Sequence, residues 1–143
     1  MSDNNSSQNI YIASDHAGYS LKSILTKRFN LTDLGCDSAE QSVDYPDFAQ
    51  KLSQKIENND FGILICGSGI GISIAANRSK HIRAALCENE KTAALSRKHN
   101  NANVLCLGAR LIGEEKAIKI VETFISTKFE GGRHDARVEK LSK

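Results

Sequence analysis

No stretch of the sequence stays apolar long enough to span a bilayer, which takes about 20 consecutive apolar residues. The opening residues, Met1 to Gln8, are polar and lack the apolar core of a signal peptide. They read as a flexible leader, and the expected location is the cytoplasm. An excess of one charge is missing too. The 143 residues carry 19 Lys and Arg against 17 Asp and Glu, a net charge of +2, which points away from a general nucleic-acid or membrane surface. None of the cysteines (Cys36, Cys66, Cys87 and Cys106) stands in a C-x-x-C pair, so neither a zinc site nor a thioredoxin-type pair is indicated. Disulfides are not expected in a cytoplasmic chain. There is no internal repeat, low-complexity segment or linker, so residues 1–143 read as one domain with a basic C-terminal segment, 131–143.

What is present is an alternation. Apolar runs occur at Ile10 to Ala13, Leu31 to Leu34, Ile63 to Ile65, Ile82 to Cys87 and Val104 to Leu107. Near-continuous apolar runs predict strands buried on both faces, as in a parallel sheet. Between them, Leu21, Ile24 and Leu25 share a helical face, as do Phe48, Leu52 and Ile56, and Ile118, Val121 and Ile125. Pro46-Asp47 suits a helix first turn. The fold expected is α/β: a three-layer α/β/α sandwich around a Rossmann-like five-stranded parallel sheet.

Open parallel sheets bind ligands at the carboxyl ends of their strands. That rule selects Asp15 and His16 after the first strand, Cys66 to Gly71 after the third, and Gly108 and Arg110 after the fifth. His99 and Asn100 precede the fifth strand and join this rim only if the preceding helix ends there. Scattered in sequence, these residues are expected to converge on one rim.

Cys66-Gly67-Ser68-Gly69-Ile70-Gly71 is the most informative stretch. A thiol ends an apolar run, followed by bare backbone N–H groups and a helix start at about Ile72, a setting that stabilises negative charge. The turn is neither a full G-x-G-x-x-G fingerprint nor a Walker loop. Its bland reading is a tight turn that needs glycine only for its backbone angles; that of Cys66 is a small core thiol, the role assigned to Cys87 and Cys106. Asp15-His16-Ala17-Gly18 fits a helix N-cap as well as a site. His99-Asn100-Asn101 fits a helix stop, although His is also the usual acid–base residue near neutrality. Arg133 and Arg137, four apart, share a helical face and suit a phosphate, or else form a solvated basic tail.

These residues together resemble the type B ribose-5-phosphate isomerase family, which also holds the allose- and galactose-6-phosphate isomerases. The resemblance rests on Asp15-His16-Ala17-Gly18, Tyr45-Pro46-Asp47, Cys66 to Gly71 with Ala75-Ala76-Asn77, Ser96 to Leu105, Leu107-Gly108-Ala109-Arg110, and Gly131 to Val138, in that order between about Ile10 and Leu141. It implies an aldose–ketose isomerase of the non-oxidative pentose phosphate branch, with no metal and no cofactor, working through a cis-enediolate. By the same resemblance Cys66 is the base, and His99 donates a proton in ring opening. Gly67, Ser68, Gly69, Ile70 and Gly71 hold the enediolate with their N–H groups. Asp15, Asn100 and Ser68 contact the sugar; His16, Arg110, Arg133 and Arg137 bind phosphate. The family implies a homodimer or tetramer whose sites are shared between subunits, with 131–143 near the dimer interface. Two departures are visible. Position 68 is Ser where many relatives have Thr. The Glu that some members use as base has no counterpart in Ile72-Ser73-Ile74, which leaves Cys66 as the base candidate of the loop.

Other readings have distinct marks. A six-carbon sugar phosphate would change the substrate but not the chemistry. A nucleotide-binding module predicts a ribose-binding acid about twenty residues past the turn, and Glu88 and Glu90 lie in that range. A redox sensor calls for a resolving Cys, and none is close to Cys66 in sequence.

Overall fold

β-prone runs of a few residues, separated by helix-length amphipathic segments, can bury both faces of a sheet only by laying the helices over it. The computed structural model describes residues 8–143 and has that form; of the leader, Met1 to Ser7 lie outside the described residues. The strands are β1 (Ile10–Ser14), β2 (Thr32–Asp33), β3 (Phe61–Cys66), β4 (Ala84–Leu86) and β5 (Val104–Gly108). All pair in parallel in the order β2-β1-β3-β5-β4. The helices are α1 (Tyr19–Arg28), α2 (Tyr45–Lys55), α3 (Ile70–Ala76), α4 (Glu90–Asn100), α5 (Glu114–Ser126) and α6 (His134–Leu141).

Alternation along the strands divides the core. Ile63 and Ile65 of β3 face one layer, with Leu21 and Leu25 of α1, Ala93 of α4, and Ile120, Val121 and Phe124 of α5. Leu64 and Cys66 face the other, with Ala49 and Leu52 of α2 and Ile72 and Ala76 of α3. Every residue of β3 is buried, as its unbroken apolar run predicts. The outer strands differ from expectation. β2 has two exposed residues and β4 three half-buried ones, because a margin strand has one neighbour and incomplete cover. The β1–β2 ladder does run on past β2, through Leu34 N–H to the Ile12 carbonyl (2.8 Å) and Cys36 N–H to the Ser14 carbonyl (3.0 Å).

Several residues in the sequence blocks that carry the resemblance hold the fold together. The Asn77 amide bonds both the carbonyl (3.0 Å) and the N–H (2.8 Å) of Ala84, acting as a short neighbour strand for β4. Asn103 bonds Arg83 N–H and the His81 carbonyl at the start of the same strand. Arg97 is buried, donates to the carbonyls of Thr127 and Ala102 and to Asn101 Oδ1, and lies 4.6 Å from the Phe61 ring centroid. Cys87 and Cys106 are core thiols, as expected.

Candidate active site

The chain leaves β1 for β2 on one side and returns to β3 on the other. Such a switch point opens a crevice at the carboxyl ends of the two strands. Cys66 ends β3 there, buried at 4% exposure. Its Sγ accepts a hydrogen bond from Gly69 N–H at 3.2 Å, the kind of contact that an anionic sulfur needs. Gly69 has φ +79°, a left-handed angle that favours glycine, and a Cβ there would stand 2.6 Å from Leu86 Cδ1. Ser68 Oγ accepts from Ile70 N–H at 3.1 Å, and α3 begins at Ile70, two residues earlier than predicted. The turn is zipped to the end of β5: Ala109 N–H bonds the Cys66 carbonyl and Arg110 N–H the Gly67 carbonyl, both at 2.9 Å. The Arg110 guanidinium lies directly beside Gly67.

From β1 the chain delivers Asp15 and His16. Asp15 is buried; its N–H reaches the Ile65 carbonyl (3.2 Å), and its Oδ1 caps a 3-10 turn at Gly18 N–H (3.2 Å). The N-cap reading of Asp15 therefore holds, and the cap stands at the crevice. His16 Nδ1 accepts from Val43 N–H at 3.1 Å. That nitrogen carries no proton, so the ring presents Nε2–H. Tyr45, which the sequence marks only as part of a block, packs against the turn: a Cβ on Gly71 would lie 2.5 Å from its Cζ. The signal for it was an aromatic residue placed just before Pro46 at a helix start.

Asp15, His16, Cys66 to Gly71 and Arg110 thus gather on one rim. His99 and Asn100 do not join them, because the condition set for them, that the helix before β5 ends at this rim, is not met; Arg133 and Arg137 also lie apart. A crossover helix runs antiparallel to the strands, so the end of α4 lies at the amino edge of the sheet, before β5. Arg133 caps α6 and Arg137 follows one turn on, both exposed. The helix α6 packs on α4, where the rings of His99 and His134 stack at 4.4 Å. From Ala102 to Gly108 there are six steps of extended chain, about 20 Å between the two groups.

The acids Glu88 and Glu90 follow β4, which β5 separates from β3. Cys106 lies two residues before Gly108, the partner of Cys66, on the same face of the sheet. Burial, with smaller contributions from Cys66 and Cys87, pushes its thiol far above the ordinary range. It therefore stays protonated and makes a poor resolving thiol. All four cysteines are free. Among the described residues no helix is long and apolar enough to cross a membrane.

An open parallel sheet that brings a thiol, a carboxylate, an imidazole and a guanidinium to its switch point defines an α/β enzyme. The particular kind follows from likeness to known proteins: the sequence profile of the Ribose/Galactose Isomerase family matches residues 10–141, and the chain belongs to that family. It is 50% identical over 141 residues to the probable ribose-5-phosphate isomerase B of Mycoplasma genitalium, covering 93% of each chain. Identity to ribose-5-phosphate isomerase B of Escherichia coli is 42% over 135 residues, 90% of each chain. Among solved structures, ribose 5-phosphate isomerase B of Anaplasma phagocytophilum superposes with a TM-score of 0.90 at 48% identity, covering 93% of this chain and 95% of that one. The Mycoplasma genitalium enzyme with bound ribulose-5-phosphate gives 0.89 at 49% identity, covering 95% of each.

Proposed function

We propose that the chain interconverts ribose 5-phosphate and ribulose 5-phosphate through a cis-enediolate. The observation that carries this reading is the Cys66 sulfur at the switch point, with Gly69 N–H of the glycine turn donated to it. In the open-chain aldose, the Cys66 thiolate takes the proton from C2. The electron pair forms the C1–C2 double bond, and the carbonyl oxygen at C1 becomes the enediolate oxyanion. The N–H groups of residues 67–71 face that charge as it develops. A proton then passes from the C2 hydroxyl to the C1 oxygen, the enediol electrons collapse so that C2 becomes the carbonyl, and return of the proton from the Cys66 thiol to C1 gives the ketose. A base of this kind contributes roughly 10²–10⁴-fold in rate. Proton transfers alone complete the reaction, so neither metal nor cofactor enters it.

The other roles follow the two groups of residues. His16, through Nε2–H, and Arg110 meet the phosphate from the thiol side. Arg133 and Arg137 meet it from the other side. His99 gives a proton to the ring oxygen during ring opening, and Asp15, Ser68 and Asn100 contact sugar hydroxyls. Because the groups lie about 20 Å apart in one chain, the complete site takes its second group from another copy. The assembly is a homodimer or a pair of dimers, each chain a single domain over 1–143 with 131–143 at the interface. Ile70, Ile74 and Leu111, exposed beside the turn, support an interface there. A cytoplasmic setting, which keeps the thiol reduced, belongs to the same reading.

The test is Cys66→Ala. Exchange of the C2 hydrogen of ribose 5-phosphate with solvent deuterium should stop while phosphate binding persists. Exchange at the wild-type rate in that variant would remove the assignment.

A further inference from the structure

Glu130, His99 and His134 form a cluster where α4 meets α6. The two imidazole rings stack with centroids 4.4 Å apart and planes 16° from parallel. Glu130 Oε1 stands 4.0 Å from His99 Nε2 and 3.7 Å from His134 Nε2. Backbone contacts build the cluster: Glu130 N–H donates to the Lys98 carbonyl at 3.1 Å, next to His99, and His134 N–H donates to the Gly131 carbonyl at 3.1 Å. Gly131 and Gly132, at φ 72° and 58°, reverse the chain so that Glu130 and His134 face the same helix end. His134 is buried at 7% exposure, whereas the His99 side chain is 38% exposed and open to a ligand.

The donor atoms of the three side chains lie within 4.8 Å of one another. A single metal ion would have to lie in the plane of both imidazoles at about 2.0–2.1 Å from each nitrogen, which stacked, near-parallel rings do not allow without opening the stack. The arrangement serves a different purpose. An imidazole at a helix end turns about two side-chain bonds, and a proton donor that turns freely is seldom aimed. The stack fixes the plane of the His99 ring, and the Glu130 carboxylate offers a counter-charge to a protonated one. Burial, then the charges of His99 and Arg133, hold His134 below its ordinary range; Glu130 opposes this and Arg137 adds to it. The buried ring is thus the neutral platform of the pair.

We propose that Glu130 and His134 are positioning residues that hold the His99 ring aimed for opening of the furanose ring. The proposal rests on the reading of His99 as the ring-opening acid. In that step the bond from C1 to the ring oxygen breaks and its electron pair stays on that oxygen, which takes the proton from His99. The anomeric hydroxyl releases its proton to water and C1 becomes the aldehyde. Solvent then reprotonates the imidazole. Enolisation at Cys66 does not involve the cluster.

Ribulose 5-phosphate separates the two steps, because its phosphate blocks the hydroxyl that would close a five-membered ring and the sugar stays acyclic. Its C1 hydrogen can exchange with deuterium through the thiol half of the site without ring chemistry. In the full-length protein, Glu130→Gln and His134→Ala should lower kcat on ribose 5-phosphate by about tenfold, part of the roughly 10²–10⁴-fold that a general acid supplies. Deuterium exchange into ribulose 5-phosphate should stay within about twofold of wild type, as should KM. His134→Phe, which keeps a stacked ring, should recover most of the turnover lost in His134→Ala. Equal loss of turnover and exchange would show a merely structural role and overturn the proposal, as would no loss in either. A wild-type protein that catalyses neither reaction would overturn the isomerase reading itself, and the proposal with it.

Discussion

A hybrid dimer decides whether two copies build each site. The Cys66 group and the His99 group stand at opposite edges of one sheet, six residues of β5 and its approach apart, about 20 Å at ~3.3 Å per residue. A pentose phosphate, five carbons and one phosphate, does not bridge that span. Chains carrying Cys66→Ala and chains carrying His99→Asn should each be inactive as homodimers, or nearly so. Co-expressed with two different affinity tags, they can be purified as the hybrid alone. In a two-fold dimer with shared sites, one site of the hybrid collects both substitutions and the other collects none, so the hybrid should show about half of the wild-type kcat per dimer. Were each site built within one chain, both sites of the hybrid would be damaged and activity would remain at the homodimer level. The measurement is initial-rate turnover of ribose 5-phosphate, with native mass spectrometry showing that the hybrid persists. A stable hybrid no more active than its parents would refute the shared site.

Two further predictions concern the scaffold. Arg97→Lys exchanges a planar fork, which reaches Thr127, Asn101 and Ala102 and stacks on Phe61, for a point charge that cannot meet all three; it should cost about 2–3 kcal/mol in urea unfolding, and an unchanged midpoint would contradict this account. Burial raises the Cys106 thiol above its ordinary value of 9.0, so on alkalinisation the unfolded chain gives up this proton before the folded one does. That contribution is intact below about pH 9 and is lost as pH rises above it; Tm should fall there less steeply in Cys106→Ala than in wild type, and equal slopes would count against the reading.

The inner sheet was legible because β1, β3 and β5 lie between neighbours on both sides and their sequences are apolar without interruption. β2 and β4 were overdrawn, since an apolar run does not report whether its strand lies at a margin. The Cys66 turn could be read because its thiol, glycines and following helix are adjacent in sequence, and local order sets local geometry. His99 was tied to that rim only if the helix before β5 ended there, and it does not, because residues just before a strand sit at its amino end, whatever chemistry they carry. Arg97, Asn77 and Asn103 belong to the same sequence blocks as site residues, yet they tie β4 and α4 to the sheet. Spacing alone does not separate a side chain that holds the backbone from one that meets a ligand. Glu130 and His134 were hidden for a related reason, because their meeting with His99 depends on the reversal at Gly131 and Gly132 and on how α6 docks against α4.

The division of the site bears on how sugar length is chosen. The thiol half is fixed within one chain by the bonds of Ala109 and Arg110 to the Cys66 and Gly67 carbonyls, so the distance from Cys66 to His16 and Arg110 is a property of the sheet. In the proposed shared site, the distance from Cys66 to the partner's copies of Arg133 and Arg137 would instead be a property of the dimer. A six-carbon substrate moves the phosphate away from the reacting carbons by one more bond, about 1.5 Å, while the reacting carbons stay at the thiol. Accommodating it requires the two copies to dock slightly further apart or the α6 arginines to withdraw. A pocket that differs by one methylene discriminates by only about 1–3 kcal/mol. If the site is shared as proposed, selectivity should follow residues of the proposed interface, such as the exposed Ile70, Ile74 and Leu111, as much as residues that touch the sugar, and a comparison of kcat/KM for five- and six-carbon phosphates in variants at those positions measures that dependence directly.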